Sequence, residues 1–270
     1  MKEYLICIDS DGCAIDSMDI KHKMCFGPCM IKEWQLEEWQ EEILSRWNEV
    51  NLYSVTRGIN RFTALAMILS EVNESYTEIY GIEAFSKWCK EADTLSNGEV
   101  KKMTYANQIF YKALSWSESV NSEIEKISAD IRPFEEVKTT LKYIHQKADI
   151  AIVSSANPKA VDDEWTRFGL MEYVDYVMAQ DKGSKKECIG KLLSMGYEKG
   201  KTLMIGDALG DEKAAKSNDV SFYPIVTRKE NESWQFFCSE AFDKFLSGNY
   251  TGEYEEGIIK NFYNAFGMNS

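Results

Sequence analysis

Four aspartates in this chain have the spacing expected of a metal-dependent site. Asp9 and Asp11 directly follow a short apolar run near the start of the sequence, and Asp207 and Asp211 follow a similar run late in it. An apolar run that is too short for a helix and stops at a polar turn is typical of a buried strand. Ligands of open α/β sheets bind outside the carboxyl ends of the strands, so we expect these four carboxylates to lie at one sheet edge.

Such a cluster of carboxylates needs positive charge nearby. Two unit charges 4 Å apart repel by about 4 kcal/mol at an effective dielectric constant near 20. Magnesium, which prefers oxygen ligands, would contribute two positive charges, and a lysine would contribute one. Lys182 and Lys185 stand just before a predicted helix, and either is a candidate. Once the charge of a phosphate is masked, an aspartate that is ionised at pH 7 is a usable nucleophile for phosphorus.

A third apolar run, which lies between the two aspartate pairs, ends in the hydroxyls of Ser154 and Ser155. Each of these strands therefore delivers a polar group to the same edge. Simpler interpretations stay open: the Asp-Gly pair is a common turn, Asp211 suits the N-terminus of a helix, and either serine suits a helix cap before Pro158.

The order of these motifs resembles a known family. Its first motif, Asp-x-Asp-Gly-Thr-Leu-x-Asp-Ser, is similar to the segment Ile8-Asp9-Ser10-Asp11-Gly12-Cys13-Ala14-Ile15-Asp16-Ser17. Ser154 resembles its second-motif hydroxyl, and Gly206-Asp207-x-x-x-Asp211 resembles its fourth motif. The set as a whole resembles the haloacid dehalogenase-like superfamily of phosphohydrolases.

The resemblance implies roles for the aspartates. Asp9 would form an aspartyl-phosphate, and Asp11 would protonate the leaving group and then activate water. Asp9, the main-chain carbonyl of Asp11, and Asp207 with or without Asp211 would hold Mg²⁺. An aspartate at position 11 favours phosphatases or phosphomutases over the dehalogenases and phosphonatases of the family, which lack that acid.

The resemblance also implies a phosphate-binding set. Ser154 and the backbone after it, with Ser155, would bind phosphoryl oxygens. Lys182 lies 25 residues before Asp207. This spacing is similar to that of relatives with a Lys-Pro pair before the helix, although Gly183 replaces the proline here. Lys185 instead fits relatives whose lysine opens the helix. Both lysines are therefore candidates, and we favour Lys185 slightly.

Strands alternate with helices in the second half of the chain, which is typical of a parallel sheet covered on both faces. The predicted strands cover 3–8, 149–153, 174–179, 202–205 and 220–226, and the predicted helices begin at Pro133, Pro158, Lys185 and just after Asp211. Residues 17–129 lack this rhythm and are rich in helix formers. We therefore predict an α/β fold whose Rossmann-like parallel sheet core comprises 1–16 and 130–229. An all-helical cap would be inserted at 17–129, and a helical extension at 230–270 would pack on the core.

Two arginines of the predicted cap, Arg57 and Arg61, lie near the start of a predicted helix. If that end of the helix faced the catalytic edge, they would contact an anionic substrate. Surface ion pairs with the many nearby glutamates are the simpler and favoured interpretation.

Charge and composition exclude some partners. The chain has 270 residues and a net charge of −13, so we expect it to bind neither nucleic acid nor an anionic membrane. Its seven scattered cysteines are typical of reduced thiols. No apolar stretch approaches the ~20 residues that span a bilayer, and no signal-peptide pattern is present, so we expect a cytoplasmic protein.

The sequence thus favours a Mg²⁺-dependent phosphatase that hydrolyses a small phosphomonoester metabolite through Asp9. One alternative is a phosphomutase or a phosphonate-handling relative. Another is a non-catalytic phosphate-binding module, comparable to a receiver domain. Against such a module, Asp11 and the Gly206-Asp207-x-x-x-Asp211 motif are intact, and the large insert would have no use in it.

Overall fold

The chain divides into two compact units. A computed structural model describes residues 1–127 and 130–268. One unit, the α/β unit, comprises Met1–Ser17 and Ile131–Ser270, and the other, the helical unit, comprises Met18–Asp130. The helical unit is thus an insertion into the sequence of the α/β unit.

Within the described residues, the α/β unit contains a five-stranded parallel sheet and a two-stranded ribbon. In chain order the strands are β1 (Tyr4–Ile8), β2 (Ile15–Asp16), β3 (Arg132–Pro133), β4 (Ala148–Val153), β5 (Tyr176–Met178), β6 (Thr202–Gly206) and β7 (Ser221–Pro224). The sheet has the order β5-β4-β1-β6-β7, and β2 pairs antiparallel with β3. Cys7 of β1, the central strand, pairs with Ala151 of β4 and Met204 of β6. The predicted α/β fold with a parallel sheet is confirmed.

The helical unit is built around a core of large aromatic side chains. In chain order its helices are α1 (Met18–Lys21), α2 (Gly27–Trp34), α3 (Gln40–Asn48), α4 (Arg61–Ser75), α5 (Ile82–Glu91), α6 (Asn97–Met103) and α7 (Gln108–Ile127), with wider π-helical turns at His22–Phe26 and Glu49–Tyr53. Trp47, Phe62 and Trp116 are fully or almost fully buried there, and their rings pack edge to face. Aromatic pairs in this arrangement stabilise a core beyond the area they bury.

Four further helices alternate with the strands of the α/β unit: α8 (Val137–His145), α9 (Pro158–Arg167), α10 (Lys185–Ser194) and α11 (Leu209–Lys216). Two predicted starts are wrong. Pro133 lies in β3, whose pairing with Ile15 holds it extended, and α8 begins only at Val137. Asp211 lies inside the first turn of α11, because the turn after β6 is shorter than expected.

The C-terminal extension forms α12 (Glu230–Phe236), α13 (Phe242–Leu246) and α14 (Glu253–Ala265). It lies against β7, which is an edge strand of the sheet. Glu255 accepts a hydrogen bond from the N–H of Phe222 at 2.8 Å, and the hydroxyl of Tyr250 donates to the carbonyl of Phe222 at 2.7 Å. Side chains of the extension thus pair edge groups that would otherwise be open to another strand.

None of the described helices combines the length and the apolar character that a membrane crossing requires.

Candidate active site

Three neighbouring strands place polar residues at one edge of the sheet. β1 lies between β4 and β6, and the residues that follow these strands are Asp9, Ser154 and Asp207. The N–H of Asp9 donates to the carbonyl of Ile205 at 3.0 Å, so the strand pairing continues one residue beyond β1. Because this pairing fixes the backbone, the side chains after it have little freedom to move away from the edge.

Asp9, Asp207 and Asp211 form a buried carboxylate cluster. One oxygen from each lies within 4.8 Å of the other two, and all three residues are at most 5% exposed. Hard divalent cations bind several such oxygens at 2.0–2.6 Å, so three oxygens this close fit around one ion. The donor set therefore fits a hard divalent metal.

Asp211 reaches the cluster because two local features make room for it and hold it. Its Oδ2 accepts a hydrogen bond from the N–H of Ala208 at 3.1 Å, which caps the start of α11. A Cβ atom on Gly206 would lie 2.4 Å from the Asp211 side chain, so only glycine leaves enough space at the end of β6. Asp211 is thus both a helix-capping acid and a member of the cluster.

Lys185 forms ion pairs with two members of this cluster. Its Nζ lies 2.9 Å from Oδ1 of Asp9 and 2.5 Å from Oδ1 of Asp211. The lysine is the first residue of α10, and Ser184 and Glu187 form a capping box that fixes this end of the helix.

Lys182 has different surroundings. It lies on the surface with half of its side chain exposed and pairs with Asp181 at 2.9 Å. Of the two lysine candidates, the structure brings only Lys185 to the carboxylates.

Asp11 follows Asp9 by two residues, and its carboxylate accepts a hydrogen bond from a residue outside the cluster. Its Oδ1 accepts a hydrogen bond of 2.5 Å from the hydroxyl of Ser17, which is fully buried. The turn between them is closed by a hydrogen bond from the N–H of Gly12 to the carbonyl of Ile15. Among the described residues, the group of side chains close enough to share a metal does not include Asp11. The sequence had assigned its main-chain carbonyl, not its carboxylate, to the metal.

The two serines after β4 differ in position. Ser154 is buried, and its hydroxyl accepts a hydrogen bond from the N–H of Ala156 at 3.1 Å. Ser155 is exposed. The interpretation of either serine as the cap of the next helix is wrong, because Asn157 caps α9 by accepting from the N–H of Lys159.

A family model described as haloacid dehalogenase-like hydrolase matches residues 77–225, which is more than half of the chain. The chain belongs to the haloacid dehalogenase-like hydrolase family. The match includes β4 to β7 but not β1, so the place of Asp9 in the site rests on the pairing of β1 with β4 and β6.

Solved structures share the fold of this hydrolase. A haloacid dehalogenase-like family hydrolase from Streptococcus pneumoniae is 13% identical, with a TM-score of 0.54 over 86% of this chain and 90% of that one. A predicted phosphatase from Clostridium acetobutylicum is 14% identical, with a TM-score of 0.52 over 96% of this chain and 100% of that one. A predicted phosphoglycolate phosphatase from Haemophilus somnus is 14% identical, with a TM-score of 0.52 over 84% and 87% of the two chains. No curated protein matches the sequence.

The charges of the hydrolase site shift its protonation equilibria. Burial raises the pKa of Asp9 well above 3.8; Lys185 opposes the shift, and Asp211 and Asp207 add to it. Burial also raises the pKa of Asp211, again against the effect of Lys185. Burial alone would lower the pKa of Lys185, but the charges of Asp211 and Asp9 outweigh it and raise that pKa above 10.5. The lysine is therefore charged at neutral pH.

The two arginines of the helical unit have partners inside that unit. Arg57 is buried, and its guanidinium donates to the carbonyl of Leu52 at 3.0 Å. Arg61 donates to Ser117 at 3.0 Å and to Asn121 at 2.8 Å. The buried position of Arg57 does not fit the surface ion pair that the sequence favoured for it. A contact of either arginine with an anionic substrate stays a prediction.

Sequence reasoning overlooked Ser17, although the motif segment Ile8–Ser17 contained it. It also gave no role to Ser10, which lies between the two catalytic candidates and is fully buried. Residue type could not reveal either role, since both depend on which side chain the fold places opposite the serine.

Proposed function

We propose that this hydrolase is a Mg²⁺-dependent phosphatase that acts on a small phosphomonoester through an aspartyl-phosphate on Asp9. One observation carries the proposal. The half-buried Lys185 lies within ion-pair distance of both the Asp9 carboxylate at the end of β1 and Asp211 of the carboxylate cluster. Such a site offers a nucleophile, a metal-binding group and a fixed positive charge within a few ångströms.

In the first step, a carboxylate oxygen of Asp9 forms a bond to phosphorus, and the bond between phosphorus and the ester oxygen breaks. Asp11 gives its proton to that oxygen, so the leaving group departs as an alcohol. The hydrogen bond from Ser17 fixes the direction of the Asp11 carboxylate. Lys185 stays charged throughout and stabilises the extra negative charge of the transition state.

In the second step, water attacks the phosphorus of the aspartyl-phosphate. Asp11, now a carboxylate, takes a proton from this water, and the bond between Asp9 and phosphorus breaks. The products are inorganic phosphate and the free Asp9 carboxylate. Ser154 and the backbone after it would bind phosphoryl oxygens in both steps, and Ser155 is exposed beside them.

Asp9, Asp207 and Asp211, with the carbonyl of Asp11, would hold the Mg²⁺. The ion, when bound, neutralises the phosphate and polarises its oxygens. The buried cluster of three carboxylates supports a divalent cation, because one oxygen from each lies close enough to the others to share an ion.

The substrate class rests on the helical unit and on structural relatives. We propose that residues 17–129 act as a cap that excludes water during phosphoryl transfer, which favours a small metabolite over a phosphoprotein. Two structures with the same fold are described as a predicted phosphatase and a predicted phosphoglycolate phosphatase, which supports a phosphoester substrate.

The decisive experiment compares Asp9→Asn with the wild type on p-nitrophenyl phosphate and on a panel of phosphorylated metabolites, with Mg²⁺ and with a chelator. We expect hydrolysis by the wild type only with Mg²⁺, and none by Asp9→Asn. Asp219→Asn is a matched control, since Asp219 is an exposed aspartate that pairs with Lys199. Equal hydrolysis by wild type and Asp9→Asn would refute the proposal.

The products separate the remaining alternatives. Transfer of phosphate to a sugar instead of water would indicate a phosphomutase. Stable phosphorylation of Asp9 without turnover would indicate a phosphate-binding module.

A further inference from the structure

Two buried tryptophans donate hydrogen bonds to the segment that carries Asp9 and Asp11. The indole N–H of Trp165, in α9, donates to the hydroxyl of Ser10 at 2.9 Å. The indole N–H of Trp234, in α12 of the C-terminal extension, donates to the carbonyl of Cys13 at 2.8 Å. Both indoles and both acceptor residues have no exposed surface.

The segment between β1 and β2 is a tight turn whose own bonds converge on one atom. The carbonyl of Ser10 accepts from the N–H groups of Ala14 and Ile15 at 3.0 and 2.9 Å. Gly12, with φ of 76°, supplies the left-handed conformation that the turn requires. These bonds fix the shape of the turn, but bonds within a turn do not fix its position relative to the rest of the molecule.

The hydrogen bonds from the two indoles fix the position of the turn relative to the rest of the α/β unit. Ser10 stands directly between Asp9 and Asp11, and Cys13 is two residues after Asp11. One donor comes from the helix after β4 and the other from the far end of the chain, so the segment is tied to two separate elements. Because water has no access to these groups, a lost indole bond would not be replaced.

We propose that Trp165 and Trp234 are positioning residues, which hold the turn so that Asp9 and Asp11 face the reacting phosphate correctly. Neither residue touches the substrate in this scheme. The inference rests on the proposed function, because it takes Asp9 and Asp11 as the reacting groups. It also gives the C-terminal extension a role in the active site.

The expected effect is on the rate of the chemical step. A misplacement of about 1 Å in an active site lowers the rate by about 100-fold. We expect Trp165→Phe and Trp234→Phe each to lower kcat for p-nitrophenyl phosphate at least tenfold. The KM should change little, since the groups proposed to bind phosphate, Lys185 and Ser154, lie on other elements.

Trp116→Phe is the matched control. Trp116 is also fully buried, and its indole N–H donates to a backbone carbonyl, that of Phe26, at 3.1 Å. It lies in the core of the helical unit, so its replacement removes the same kind of bond elsewhere. We expect a comparable fall in melting temperature but a kcat within twofold of the wild type, with all assays run well below the lowest melting temperature.

Two smaller changes keep the test valid if a tryptophan variant fails to fold. Ser10→Ala removes only the acceptor of Trp165 and should lower kcat as Trp165→Phe does. The double variant, which combines Ser10→Ala with Trp165→Phe, should lose no more kcat than Trp165→Phe alone, because the two substitutions break the same hydrogen bond. At position 234, site-specific incorporation of benzothienylalanine keeps the two-ring shape without an N–H, and we expect the same fall in kcat.

Failure of the inference is distinguishable from failure of the proposed function. If Asp9→Asn is inactive but the tryptophan variants keep the kcat of Trp116→Phe, only the positioning role is overturned. Additive losses for Ser10→Ala and Trp165→Phe would likewise overturn it for that pair. Full activity in Asp9→Asn would overturn the proposed function itself, whatever the tryptophan variants do.

Discussion

Gly206 lies so close to Asp211 that a Cβ atom on Gly206 would stand 2.4 Å from the Cβ of Asp211. Since Asp211 is completely buried between β6 and Lys185, it has no room to retreat. Gly206→Ala should therefore displace Asp211 and remove most phosphatase activity. Gly210→Ala is the control, because a Cβ at Gly210 meets nothing within 4 Å and alanine suits a helix better than glycine. Steady-state kinetics at saturating Mg²⁺ would test the difference, and equal activity in the two variants would contradict it.

The two candidate lysines should differ sharply. Lys185→Ala removes the charge that touches Asp9 and Asp211, and loss of one such stabilising group typically costs about 100- to 1,000-fold in kcat. Lys182→Ala removes only a surface ion pair with Asp181, so kcat should stay within twofold. Kinetics on p-nitrophenyl phosphate check both. If both variants lost kcat equally and only mildly, neither lysine could be assigned to phosphate binding.

Without metal, the stability of the protein should fall as pH rises above the ordinary carboxylate range. Burial raises the pKa of Asp9 and of Asp211 above 3.8, so the folded state retains protons that the unfolded chain has already lost. The free energy of unfolding therefore decreases with pH between 3.8 and the raised values. The raised pKa of Lys185 acts only above 10.5 and leaves this window unchanged.

Mg²⁺ should abolish this pH dependence, because a bound cation favours the ionised carboxylates. Urea unfolding between pH 4 and pH 8, with a chelator and with Mg²⁺, would measure the effect. Asp211→Asn should flatten the slope in the chelator. A slope that Mg²⁺ leaves unchanged would show that these carboxylates do not hold the ion.

The C-terminal extension should contribute to stability through β7. Tyr250→Phe leaves the buried carbonyl of Phe222 without its hydroxyl donor, which should cost about 1–3 kcal/mol of the free energy of unfolding. Tyr80→Phe is a suitable control, since Tyr80 is largely exposed. Denaturant titration of both variants gives the difference directly. Identical midpoints would mean that water reaches the edge of β7.

Local patterns in the sequence were enough for the fold class and for the carboxylate motifs. The strands of the sheet come from short apolar runs, and Asp9 and Asp207 each directly follow such a run. Helix starts were less secure: Pro133 lies in a strand because Ile15, far away in sequence, pairs with it. The helix propensity of a segment depends only on neighbouring residues along the chain. The pairing of Ile15 with Pro133 instead brings together residues on either side of the long helical insertion.

The sequence by itself determined that Asp9, Asp11, Asp207 and Asp211 follow strands, because strand periodicity and motif spacing are local properties. The sequence favoured Lys185 only slightly over Lys182. Only the tertiary structure decided that Lys185 meets the carboxylates, because its contacts with Asp9 and Asp211 join residues far apart in sequence. The contacts of Ser17, Trp165 and Trp234 with the segment that carries Asp9 and Asp11 were decided in the same way. A hydrogen bond between residues far apart in sequence depends on packing, and no spacing in the sequence encodes it.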